Sequence, residues 1–100
     1  MTPAEILELP LETGNDSGAT TIRGFLVALL GELWIEKEGF SGKRPFGNSG
    51  WQWDLYAALG RGGAVPMTFD EYGGVDEADT DQCYDLIMSA IRELGQARNG

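Results

Sequence analysis

Catalysis near neutral pH needs a nucleophile, an acid–base group or a metal ligand, and this chain is short of all three: it has no histidine and a single cysteine, Cys83. A lone thiol without an imidazole to take its proton is a poor nucleophile, and the inward face of a predicted helix makes Cys83 a packing residue. No Cys/His zinc site and no internal disulfide can be assembled. The carboxylates Asp70, Glu71, Asp76, Glu77, Asp79 and Asp81 are the next candidates. They lack the alternating oxygen ligands, central glycine and closing glutamate of a helix–loop–helix calcium site. Several of them precede or open a predicted helix, where they favour its positive end. Nothing in their spacing singles out a pair that would flank a sugar. The residues therefore read as no enzyme, no cofactor and no metal.

Residues 39–51, G-F-S-G-K-R-P-F-G-N-S-G-W, hold more chemistry than a connector needs. The stretch Gly39 to Arg44 fails as a phosphate-binding loop: two residues rather than four separate its glycines, an arginine follows the lysine, and a helix precedes it. Lys43 and Arg44 have two readings. They offset Glu36 and Glu38 at the negative end of the preceding helix, or they form a recognition knob in which Arg44 grips a carboxylate or phosphate with both guanidinium arms. Phe46 beside them has no part in the first reading. On the following helix Trp51 and Trp53 diverge by about 200°, so they cannot both enter one core face. Trp51 groups with Leu55 and Leu59 in the core, while Trp53 and Tyr56 lie a turn apart on the other side and form a second apolar surface. Lys43, Arg44, Phe46, Trp53 and Tyr56 are therefore the expected partner-binding residues.

The elements that must position these residues are readable in turn. Thr2-Pro3-Ala4-Glu5 is a capping box with proline at the first helical position, which predicts one or two turns over residues 3–9 before Pro10 stops them. Residues 12–19 have the small, polar composition of a linker, so residues 1–19 are expected to form a flexible N-terminal arm. The strongest helix is predicted from Thr20 or Thr21 to Glu38, with Ile22, Phe25, Leu26, Leu29, Leu30, Leu33 and Trp34 on one face and Gly39 at its end. On this helix Gly24, Ala28 and Gly31 make a narrow stripe. Its two glycines cost about 2 kcal/mol relative to alanine, which close approach by the last helix, by the arm or by a second copy in a homodimer would offset.

Trp51, Trp53 and Leu55 alternate like a strand, but Ser49 with Gln52 makes a second capping box and Gly60, Gly62 and Gly63 end the segment, so a helix is expected. Residues 64–75 read as a hairpin turning near Tyr72-Gly73-Gly74, or as one helical turn capped by Thr68 and Glu71. The hairpin is preferred, with Pro66 confining its first strand to an edge. Asp79 or Thr80 caps a last helix reaching Gly95, with Cys83, Ile87, Ala90, Ile91 and Leu94 inward. The expected fold is mainly α: a single three-helix domain over 20–95 with a short β-hairpin or turn before the last helix, a flexible N-terminal arm and a frayed tail over 96–100.

Composition bounds the partners. A net charge of −9 on 100 residues repels polyphosphates and argues against direct nucleic-acid binding. It leaves open docking on the basic face of a DNA-binding protein. The longest apolar run, Gly24 to Ile35, is broken by Glu32 and falls short of the roughly 20 residues that span a membrane. Glu5 and Glu8 stand where an export signal has basic residues, so a cytoplasmic protein is expected.

The loop G-F-S-G-K-R-P-F-G-N-S-G-W followed by D-L-Y-A-A-L resembles small uncharacterised proteins encoded by bacteriophages of actinobacteria, some also found in host genomes, over residues 21–94. The resemblance implies a phage accessory protein in the host cytoplasm that acts through contacts with a host or phage protein. It carries no catalytic or binding residue with it. The alternative is an acidic nucleic-acid mimic or regulator of a DNA-binding protein.

Overall fold

A computed structural model describes residues 1–11, 18–28 and 50–99, with the backbone alone for 50–52 and 96–99. Helix α1, Pro3–Leu7, is set by the expected capping box. The Thr2 hydroxyl accepts from the Glu5 N–H at 3.2 Å, and the Glu5 carboxylate accepts from the Thr2 N–H at 3.0 Å. Hydrogen bonds from Thr2, its backbone N–H first and its side chain second, hold the Glu5 carboxyl below its ordinary range.

A helix this short does not persist by itself in water, so packing must hold it. Ile6 and Leu7 are 0% and 1% exposed and share one apolar cluster with Ile22, Leu26, Leu59 and Ile91. Backbone bonds fasten the segment that follows: the Ile22 N–H donates to the Leu9 carbonyl, and the Leu11 N–H to the Thr20 carbonyl, both at 3.0 Å. Pro10 and Thr21 pair as an isolated antiparallel bridge, and Arg23 Nε reaches Glu8 Oε1 at 2.7 Å. The expectation of an arm is corrected for residues 1–11, which belong to the core. The polar linker, of which residues 12–17 lie outside the described residues, joins two segments that clamp each other.

Residues 22–28 form α2. Thr21 caps it, its hydroxyl accepting from the Gly24 N–H at 3.2 Å. Ile22, Phe25 and Leu26 are buried as the spacing predicts. A Cβ at Gly24 would lie 3.3 Å from the Ala19 Cβ, so the chain's own approach to the helix fills this part of the small-residue stripe. Ala28 is exposed, and Gly31 with the expected run to Glu38 lies outside the described residues.

Helix α3, Gly50–Arg61, resolves the strand-or-helix ambiguity in favour of helix. Its end is a Schellman arrangement: the Ala64 N–H donates to the Leu59 carbonyl at 2.9 Å and the Gly63 N–H to the Gly60 carbonyl at 3.1 Å. Gly63 takes the required left-handed conformation, at φ +77°. Strands β1, Met67–Phe69, and β2, Val75–Ala78, then form the hairpin, so the alternative of a single helical turn is set aside. Met67 faces Ala78, Thr68 faces Glu77 and Phe69 faces Val75, a register shift that leaves Asp76 as the extra residue of a bulge. Asp70 Oδ1 builds the turn by accepting from the Tyr72 and Gly74 N–H groups, each at 2.9 Å.

Asp79 caps α4, Thr80–Asn99, accepting from the Gln82 N–H at 3.0 Å. Cys83, Ile87, Ala90, Ile91 and Leu94 face inward as expected. The helix continues past Gly95, since one glycine costs a helix only about 1 kcal/mol and does not end it without a left-handed turn. Among the described residues the fold is thus α-rich, with four helices and a two-stranded hairpin. The helix beyond the three expected is α1.

Candidate functional site

Of the five residues expected to meet a partner, Lys43, Arg44 and Phe46 lie outside the described residues. The structure places the other two side by side and treats them differently. Trp53, in the first turn of α3, is 43% exposed, whereas Tyr56 is 0% exposed. Their rings meet edge-on, with centroids 5.4 Å apart and planes at 81°. Tyr56 is therefore corrected from a surface residue to a core residue that fixes the indole from below. The reason lies in the helix as a whole. Leu55, Tyr56, Ala57, Ala58 and Leu59 are all buried, and at about 100° per residue they cover most of the circumference. Past its first turn the outward stripe of α3 carries the exposed Asp54 and Arg61 and no large apolar residue.

Trp53 overlooks an open groove of about 730 Å³ between the start of α3 and the hairpin. The half-buried Met67, Val75 and Ala78 give the groove its apolar lining, and the exposed Asp76, Glu77 and Asp79 give it carboxylates. No lysine or arginine lines it among the described residues. One Asp79 oxygen is engaged in capping α4. Sequence reasoning missed this assembly, because it assigned several of the acidic residues to the start of the last helix; Asp79 and Asp81 stand there, while Asp76 and Glu77 lie in the second strand.

The hairpin is fixed at its far end by Arg61. Its guanidinium donates to the Gly73 carbonyl at 2.8 Å and lies 5.3 Å from the centroid of the Phe69 ring. Met67 packs against Gly60, where any side chain would overlap its thioether. The first strand and the turn are thereby fastened to the C-terminal end of α3.

The remaining chemistry is quiet. Cys83 is fully buried, and burial first, then the neighbouring Asp79 charge, pushes its pKa up to about 11. Its thiol stays protonated at neutral pH. Among the described residues no three His, Cys, Asp or Glu side chains come together as metal ligands, and no helix is long and apolar enough to cross a membrane. No protein-family model, curated protein or solved structure matches this chain.

Proposed function

We propose that this protein acts without catalysis, by binding a host or phage protein in the cytoplasm of the host cell, as an accessory protein of the bacteriophage kind that its 39–51 loop resembles. The observation that carries the reading is Trp53, a large aromatic left 43% exposed beside an open groove, while the apolar residues that follow it in α3, Leu55 to Leu59, are all buried. Tryptophan and arginine anchor protein interfaces more often than other residues. Lys43, Arg44 and Phe46 lie outside the described residues and enter the proposal on their residue types alone, a cation pair and an aromatic ring of the kind that anchors interfaces.

The test is capture of a host or phage protein by the tagged full chain, compared with Trp53→Ala and Arg44→Glu. Both variants are expected to lose capture while keeping the parent's circular dichroism and melting temperature. Capture that survives both substitutions, or unfolding of both, overturns the reading. The second reading, an acidic mimic of nucleic acid, is favoured by the net charge of −9 and by the exposed Asp76 and Glu77. It requires binding that falls steeply with salt and depends on the carboxylates rather than on Trp53.

A further inference from the structure

We propose that the groove between Trp53 and the hairpin receives an arginine-bearing basic segment of the partner polypeptide, an inference that rests on the protein-binding reading above. The volume, about 730 Å³, lies in the range of clefts that seat specific ligands, about 300–1,000 Å³. Its lining combines two features that few ligand groups satisfy together. One is an exposed indole, held in orientation by the buried Tyr56 beneath it. The other is the carboxylate set of Asp76, Glu77 and Asp79, without a lysine or arginine among the described lining residues.

A purely apolar side chain would cover the indole and leave carboxylates facing it, at a desolvation cost with nothing to offset it. A phosphate or an acidic peptide would be repelled. A guanidinium satisfies both features, since its flat face stacks on an aromatic ring while its edge donates paired bonds to a carboxylate. An ammonium matches the charge but is more strongly hydrated and lacks the flat face. The molecule already makes one such contact for itself, Arg61 over Phe69, on the neighbouring part of the hairpin. The overall charge of −9 adds attraction at long range for a basic segment and repulsion for a second copy of this chain.

The test uses the full chain, labelled for amide and indole NMR, titrated with a short alternating Arg-Gly peptide and with the same peptide carrying citrulline, which keeps the shape and removes the charge. The arginine peptide is expected to shift the Trp53 indole and the amides of Met67, Val75, Asp76 and Glu77, and to bind more weakly at high salt. Trp53→Ala and the pair Asp76→Asn with Glu77→Gln should each weaken it about three- to fivefold, and the combination about tenfold or more. If Trp53→Ala does not fold, the carboxylate pair, which is exposed, carries the test alone.

Equal binding of the citrulline peptide, shifts confined to another surface, or no binding at all overturns the proposal. Binding that emerges only in Lys43→Glu with Arg44→Glu assigns the groove to the chain's own loop and overturns it too. So does a dimer, seen by sedimentation, that Trp53→Ala dissociates. Partner capture that depends on Trp53 while the groove ignores the arginine peptide removes this inference alone. Capture indifferent to every variant removes the protein-binding reading beneath it.

Discussion

Replacing Ile6 with alanine separates a helix that belongs to the core from one that merely trails it. The side chain is 0% exposed and sits in the cluster that joins α1 to α2, α3 and α4. Truncating such a residue removes its transfer energy and leaves a cavity, for a total of about 3 kcal/mol in a typical core. A domain of this length has about 5–15 kcal/mol in all, so the loss is a large fraction of it. At 4–8 °C per kcal/mol the melting temperature should fall by about 12 °C or more. Urea unfolding followed by circular dichroism should show an earlier midpoint with an unchanged slope, because the same surface is still exposed on unfolding. Glu8→Gln is the companion measurement. It removes the Arg23 ion pair, whose side chains are 42% and 60% exposed, and so should cost less than about 1 kcal/mol. A shift of under about 0.5 kcal/mol for Ile6→Ala, the size of an ordinary surface change, would show that α1 does not share the core and would refute the reasoning.

Two further outcomes follow from single residues. Gly63→Ala should lower stability by about 1–2 kcal/mol, and Gly63→Asn by less, because the left-handed turn that closes α3 resists a Cβ although nothing lies within 4 Å to collide with it; equal denaturant midpoints for all three proteins would contradict this. Cys83 should resist alkylation in the folded protein and react only as the chain unfolds. Its pKa of about 11 lies above the ordinary 9.0, so in alkali the unfolded chain loses the proton first. The resulting stability is complete below pH 9 and is lost as pH rises towards 11, a decline that Cys83→Ala should lack.

What could be read from the sequence is what neighbouring residues decide among themselves. The Thr2 and Glu5 box, the turn near Tyr72-Gly73-Gly74, the Asp79 cap and the glycines closing α3 each involve groups within about five positions, and each formed as its local chemistry requires. The errors arose where distant segments decide. Ile6 and Leu7 look like a marginal helix until α4 and α2 supply the surface they cover. Tyr56 looks like the outer side of α3 if Leu55 and Leu59 mark the inner side, but that inference assumes a helix with one buried face. A helix buried around most of its circumference has no such polarity, and α3 beyond Trp53 is apolar from Leu55 to Leu59, with Asp54 and Arg61 left on a narrow exposed stripe. The groove was illegible for the same reason. Trp53 and Asp76 come to line one groove only through the hairpin, whose bulge at Asp76 no local motif announced.

The acidic residues on the hairpin have a simpler use, and it bears on how the groove discriminates. A two-stranded sheet leaves both its edges open, and charged side chains there discourage pairing with other strands. Asp76 and Glu77 serve that end whether or not anything binds. Protection of an edge, however, gives no reason to leave an indole in solvent a short distance away, where burying it would stabilise the fold by about 2 kcal/mol. With Trp53 exposed, the same carboxylates become a filter: another copy of this acidic chain meets like charge at the groove, and a hydrophobic segment meets charge it cannot match. Only a cationic segment meets both the ring and the carboxylates on favourable terms. On the proposed reading, edge protection and partner choice are two consequences of one arrangement of Asp76 and Glu77, and they are separable, because removing Trp53 should weaken the second and leave the first intact.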